Sequence, residues 1–491
     1  MRKRLMVLVA VAAIVGMGAG YLVSAQPFSA SGKSSGRSAG PASNPSSTSG
    51  STSTAVELTI PDSIAAALQA AKASHEDADD LVWDASSEKA LDVVSEVKIT
   101  EPGNYRLSGS ATEGQIEVNV TAKGIVRLIL DGVSVTSTTG PALNVEAADK
   151  VLLYLAEGSS NQLTGTPGTE EPDAAVFSKV DLTIAGPGAL QVTAKAGDGI
   201  TSKDGLVIDS GQLTVTAADD AVKGRDYLII RDGELNLTAE GDALKSTNDE
   251  DEGRGYLLFA GGSVTAEAKS DCVDSAVDVF VSAGTLTLSC EDDGIHAERV
   301  LMIEGGEIDI TKSYEGLEGA GVVISDGKIK ITSSDDGINA ANGTSSAGGE
   351  PGMGRKPGKS TTAPTEPTAT PTDPTSSPTS TSGSKRGKVR PTAGAPQPGS
   401  TADGTTGRQR GGGGFDRGGG GAPQNAELII SGGEIEIVAG GDGLDSNGNA
   451  TISGGTITII SPDNVGEMPI DVVGTYEHTG GTITANGQVV K

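Results

Sequence analysis

Four short stretches decide how this chain folds. They are Asp293-Gly294-Ile295, Leu301-Met302-Ile303, Gly306-Glu307-Ile308-Asp309-Ile310 and then Glu315-Gly316-Leu317, where the first pattern begins again. The opening pattern is an acidic residue, a small residue and a branched aliphatic. It recurs at Asp198-Gly199-Ile200, Asp220-Ala221-Val222, Asp242-Ala243-Leu244, Asp271-Cys272-Val273, Asp336-Gly337-Ile338 and Asp442-Gly443-Leu444. The steps are 22, 22, 29, 22, 22 and 21 residues, then one jump of 106. A fixed period of this size marks a stacked-repeat architecture. It also stacks one carboxylate above another.

A glycine-led strand runs in phase, as at Gly306 and in Gly327-Lys328-Ile329-Lys330-Ile331. Period-2 alternation puts Ile308 and Ile310 on one face and Glu307 and Asp309 on the other. The apolar runs between, such as Leu228-Ile229-Ile230 and Val322-Val323-Ile324, supply a third strand. A four-residue strand spans ~13 Å, and parallel neighbours stack at ~4.8 Å. The expected fold is therefore all-β: a right-handed parallel β-helix with three short strands per ~22-residue coil, the hand taken by analogy. Ile200, Val222, Leu244, Val273, Ile295, Leu317, Ile338 and Leu444 would form one inner ladder. Leucine-rich repeats are disfavoured, because the Asn ladder and helical half are missing. Pro61-Asp62-Ser63-Ile64, followed by an alanine-rich run, reads as a capped short helix and an N-terminal lid.

The remaining segments differ in composition. Residues 1–25 pair a basic Arg2-Lys3-Arg4 with an apolar run, which reads as a signal peptide or a membrane anchor. Residues 26–54 are a Ser/Gly/Pro linker. Residues 55–342 hold the cap and most repeats, 343–426 a low-complexity disordered insertion, and 427–491 the last repeats. The body is then expected outside the cytoplasm or on the cell surface, as a monomer.

The formal charge of −29 is unevenly spread. Residues 1–54 carry five basic and no acidic side chains, and 343–426 carry ten basic and five acidic. The repeats therefore hold −29 − 5 − 5 = −39. Nucleic acid is excluded as a partner for such a body. Divalent cations and neutral or cation-bridged polymers suit it. Cys290 shares the inward parity of Leu286 and Leu288, whereas Cys272, beside inward Val273, is expected to point outward. That geometry disfavours a disulfide between them.

Several corners double their acid: Asp219 with Asp220, Asp292 with Asp293, Asp335 with Asp336. A further column holds Asp274, His296, Glu318, Asn339 and Asp445. Stacked like charges repel and call for a cation or raised pKa values. Calcium accepts six to eight oxygen ligands in flexible geometry, while zinc would want His or Cys clusters. The candidate ligands are Asp219, Asp220, Asp271, Asp274, Asp292, Asp293, Glu315, Glu318, Asp335, Asp336, Asp442 and Asp445. Lys223 and Lys245 would neutralise one end, so Asp271 to Asp336 is the favoured stretch. The plain alternative is turn chemistry, since aspartate caps corners; it explains single acids and leaves the doubled ones.

For function, a calcium-dependent lyase would need an Arg or Lys base, for which Arg225, Lys245 and Arg299 are candidates. A hydrolase would need flanking carboxylates, but Asp292-Asp293 is a repeated pair, and a unique active site should break the repeat.

The segment Ile99-Thr100-Glu101-Pro102-Gly103-Asn104-Tyr105-Arg106-Leu107-Ser108-Gly109 resembles the start of the bacterial carbohydrate-binding domain-containing family. So do Val126-Arg127-Leu128-Ile129-Leu130-Asp131-Gly132-Val133, Ala142-Leu143-Asn144-Val145 and the Asp-Asp-Gly-Ile-His and Asp-Asp-Gly-Ile-Asn corners. The resemblance covers about residues 95–342 and 427–460. It implies a secreted or surface-held protein, a pectate-lyase-like fold, bound calcium, and polysaccharide binding without cleavage. With one Trp, Trp83, and 3% aromatics, stacking on flat cellulose is poorly supported, and a calcium-bridged acidic glycan fits better. The resulting expectation is an exported, calcium-dependent, non-catalytic binder of pectin-like polysaccharide. A lyase and a structural surface stalk are the alternatives.

Overall fold

The computed structural model describes residues 58–77, 79–342, 425–464 and 466–490. The segments 1–25 and 26–54 lie outside these, as does the insertion 343–426 apart from Asn425 and Ala426. The chain divides into the units Met1–Ala55 and Val56–Lys491, and all described residues belong to the second.

Alternation builds the wall. In Gln212–Ala217, Leu213, Val215 and Ala217 are buried while Gln212, Thr214 and Thr216 are exposed. The strand pairs in parallel with its counterpart in the next repeat, without offset: Leu213 with Leu235, Leu235 with Val264, Val264 with Leu286, and Leu286 with Ile308. Unshifted register places like side chains on the same face, so the inner face becomes one continuous apolar core. The second ladder is likewise in register, from Ile200 through Val222, Leu244, Val273, Ile295, Leu317 and Ile338 to Leu444. All eight side chains are at most 1% exposed.

Two glycine positions explain the spacing of the motifs. Gly233, which leads its strand, has φ +115°, and a Cβ there would lie 2.8 Å from the Gly211 carbonyl oxygen of the preceding repeat. Gly294, the small residue of its corner, faces inward, and a Cβ would lie 2.6 Å from Ile310 Cδ1. The middle residue of each corner is small because it points into the core.

That observation corrects the cysteine expectation. Cys272 is fully buried and forms a disulfide with Cys290. Strand alternation does not hold through a corner, so Cys272 and Val273 face inward in succession.

The fold expectation is also corrected. The wall is all-β, its strands pairing in parallel from one repeat to the next; the pectate-lyase-like right-handed β-helix is not indicated. Strand pairing carries no hand, which had come from analogy alone. Nor are the strands uniformly short and threefold. Ile295–Ser313 and Leu317–Ser333 run unbroken through their corners over 19 and 17 residues. At the N-terminal end, Lys89–Asp92 pairs with Gly103–Ala111, which pairs with Ile125–Thr136. Across the insertion the ladder continues directly, with Val322 opposite Leu428 and Ile338 opposite Leu444.

The short helix α1, Ile64–Ala70, forms as expected, with Ser63 Oγ accepting the Ala66 amide at 3.1 Å. Its role as an end lid is corrected. It packs along the side, its Ile64 and Ala67 joining Val207, Ile229, Tyr256, Phe280 and Met302. Those strands are apolar on both faces, so they need a cover. Trp83 packs edge-on against Tyr154, with centroids 4.9 Å apart, and donates to Glu88. At the far end, Thr482–Ala485 pairs antiparallel with Gln488–Val489 and closes the wall. Among the described residues no helix is long and apolar enough to cross a membrane.

Candidate functional site

The corner acids form a bonded column. Along most of it, an aspartate carboxylate accepts the backbone amide of the acid one repeat further on, and Asp442 at the end accepts that of Met468. Asp198 takes the amide of Asp220 at 3.2 Å, Asp220 that of Asp242 at 3.0 Å, and Asp242 that of Asp271 at 2.9 Å. Asp271 takes that of Asp293 at 2.8 Å, Asp293 that of Glu315 at 3.1 Å, and Asp336 that of Asp442 at 2.7 Å. The turn reading of these acids is thus half right: the side chain caps the next repeat's corner rather than its own. One oxygen is used this way, which leaves the other for a cation.

The neighbouring column decides which cation. In-register pairing runs Lys223, Lys245, Asp274, His296, Glu318, Asn339, Asp445 and Asp471. Lys223 pairs with Asp198 and, at 3.0 Å, with Asp220. Lys245 pairs with Asp242 and, at 3.0 Å, with Asp274. These acids carry their counter-ions in the sequence, and both lysines are held above their ordinary pKa by those carboxylates against the opposing effect of burial.

From Asp271 onward the balance changes. Asp274 hydrogen-bonds His296 Nδ1 at 2.9 Å, and His296 Nε2 lies 3.6 Å from Glu318. Burial acts to lower the His296 pKa, but Asp274 and Glu318 outweigh it and push it up to about 9. Asp293 is pushed up to about 10, first by burial, then by Glu315, Asp271 and Glu318. Burial and Glu318 take Glu315 to about 8, and burial with Asp242 and Asp274 takes Asp271 to about 8. Asp336 rises to about 7 and Asp445 to about 8, again chiefly by burial. Asp442 rises to about 6 for the same reason.

The structure gathers the predicted ligands into several groups whose oxygen or nitrogen atoms lie within 4.8 Å of one another. They include Asp271 with Asp274 and His296; Asp271 with Asp292 and Asp293; Asp293 with Glu315 and Glu318; and Asp335 with Asp336 and Glu467. Asp219 and Asp220 meet Asp198 at the end that Lys223 occupies. Asp442 and Asp445 lie further along, near Asp471. The Asp293–Glu315–Glu318 group passes a direct test of fit for a hard cation. Asn339, 7% exposed, donates its Nδ2 to Glu315 Oε2 at 2.9 Å, while its Oδ1 is buried without a hydrogen-bond partner. A buried carbonyl oxygen needs a partner, and three carboxylates plus an amide oxygen are the donor chemistry calcium takes. Sequence reasoning missed Glu467, which reaches the column from the loop before the last repeat and has no place in the period.

Fold and site together define a class: an all-β protein with a parallel wall and a buried acidic column along one corner. Within it, the chain belongs to the family of carbohydrate-binding domain-containing proteins, whose model matches residues 94–357, more than half of the chain. A carbohydrate-binding domain-containing protein of Acetivibrio thermocellus is 39% identical over 129 residues, 25% of this chain and 45% of the relative. The chain thus spans about half the length of that curated relative. The solved polysaccharide lyase-like protein from C. thermocellum, in its gadolinium derivative, is 31% identical with a TM-score of 0.42. That likeness covers 44% of this chain and 96% of the other.

Proposed function

We propose that this protein binds polysaccharide without cleaving it, outside the cytoplasm, and that calcium held by the acidic column bridges it to acidic, pectin-like chains. Family membership supports the carbohydrate ligand. The observation that carries the calcium reading is the Asp293–Glu315–Glu318 group with the unpartnered Asn339 Oδ1. Asp293 and Glu315 are pushed towards protonation by burial and by the carboxylates around them, and a divalent cation removes that cost. When bound, calcium supplies positive charge where this surface would otherwise repel a uronate. The protein's residues supply the oxygens, the spacing of the column, and through the amide ladder its rigidity.

The candidate bases argue for a binder. A lyase base must give up its proton to accept one from the substrate. Lys245 is clamped between Asp242 and Asp274, Arg299 is paired with Asp278, and Arg225 lies between Asp226 and Glu250. The two carboxylates hold Lys245 in its protonated form, and both guanidinium groups are occupied by ion pairs.

The test is retardation of the purified protein in gels containing polygalacturonate, with calcium and with chelator. Retardation that chelator abolishes is expected. Retardation indifferent to chelator would assign binding to another surface, and none in either gel would remove the acidic-glycan reading. Unsaturated products released from polygalacturonate would establish a lyase instead.

A further inference from the structure

One position beside the acidic column breaks the repeat. The residue before each corner acid follows its own backbone ladder: Gly197, Asp219, Gly241, Ser270, Asp292, Tyr314, Asp335 and Gly441. Tyr314 donates its amide to the Asp292 carbonyl at 2.8 Å, and its own carbonyl accepts the Asp335 amide at 2.9 Å. Glycine, serine or aspartate suffices elsewhere, so the ladder itself does not require an aromatic ring. The substitution coincides with others. The same repeat replaces the corner aspartate with Glu315 and carries Glu318, and the next supplies Asn339 with its unpartnered Oδ1.

Tyr314 is 47% exposed, and its phenol stands within electrostatic reach of Asp335, Glu315 and Asp336. The ring is open to solvent over much of its surface. Near the middle of the wall, Tyr227, Tyr256 and Phe280 are covered by the N-terminal segment and helix α1, and Phe259 lies in the inner core.

We infer that Tyr314 is a sugar-stacking residue: the apolar C–H face of a uronate ring lies on its phenol, and the uronate carboxylate is joined to the Asp293–Glu315–Glu318 group by the cation held there. An aromatic ring with a polar tip suits such a contact, being apolar on its face and able to hydrogen-bond at its edge. The charges demand the order of events. A bare uronate beside these carboxylates is repelled, whereas a cation between them converts repulsion to attraction. Stacking then supplies affinity that the cation does not, and orients the sugar relative to the column. The inference rests on the calcium and acidic-glycan reading proposed above and adds the residue that contacts the sugar ring.

The test compares the wild type with Tyr314→Ala and Tyr314→Phe, with two readouts: calcium binding by calorimetry and affinity for polygalacturonate in saturating calcium. Tyr314→Ala is expected to bind calcium within about twofold of the wild type and polygalacturonate about tenfold more weakly, the usual scale for truncating an aromatic anchor. Tyr314→Phe, which keeps the ring, is expected to stay within about threefold on both. Wild-type glycan affinity in Tyr314→Ala overturns the inference. So does joint loss of calcium and glycan, which would make Tyr314 a support for Asp335 rather than a sugar contact. A wild type that binds calcium but no polygalacturonate overturns the acidic-glycan reading and this inference with it.

Discussion

The carboxylate of Asp271 accepts the backbone amide of Asp293 from the next repeat at 2.8 Å. One acid thus fixes the position of the next, and most of the corner column is built from this step. The aspartates are structural through one oxygen and available through the other. Their repetition therefore does not distinguish scaffold from site; the neighbouring column does.

At Asp220 both oxygens are engaged, one by the Asp242 amide at 3.0 Å and one by Lys223 at 3.0 Å. We expect Asp220→Ala to destabilise by about 2–4 kcal/mol, since it takes one of two carboxylates from the half-buried Lys223 ammonium and strands an amide. Asp220→Asn, which can still accept the amide, should cost less. Urea unfolding measures both; equal, small effects would show that the ladder does not hold the repeats together.

Lys223 sits half-buried between Asp198 and Asp220. Lys223→Met should cost about 3–5 kcal/mol, because two carboxylates lose their counter-ion. Added calcium should restore part of that loss. Lys330→Met, on an exposed strand face, should lie within about 0.5 kcal/mol of the wild type. The comparison is made by urea unfolding with and without calcium.

Acids whose folded pKa is raised bind more protons folded than unfolded, so stability falls as pH rises between the two values. Asp293, Asp271 and Glu315 rise from 3.8, 3.8 and 4.5 to about 10, 8 and 8. His296, raised from 6.5 to about 9, acts in the same direction over its own interval. In chelator the protein should therefore lose stability as pH rises from about 5 to 8, and calcium should flatten that slope. Thermal unfolding at fixed ionic strength reads both; a chelated protein more stable at pH 8 would contradict the assignment.

The Cys272–Cys290 disulfide closes a loop with a sequence separation of 18. Replacing both cysteines with alanine should cost roughly 3 kcal/mol by loop entropy. The unreduced, denatured protein should take up no thiol-alkylating label. Labelling of two thiols would contradict the pairing.

Much of this was legible in the sequence. Period-2 alternation placed Leu213 and Ile308 inside, and the 22-residue step placed Asp271, Asp293 and Glu315 in one column. Corners are less legible, because alternation fails where the chain turns; extended through the corner it points Cys272 outward, whereas the side chain is buried. The double-sided apolarity of Leu228-Ile229-Ile230 was visible, but that it marks a side needing cover by helix α1 was not inferred. The hand of the fold had no basis in residue spacing. Asn339 and Tyr314 acquire meaning only once register shows which carboxylates they stand beside.

The most direct measurement is a calorimetric calcium titration of the purified protein at neutral pH in two buffers of different ionisation enthalpy. The account predicts saturable binding whose heat differs between the buffers, because calcium displaces protons from Asp293 and its neighbours. Absence of saturable heat in both buffers would contradict it.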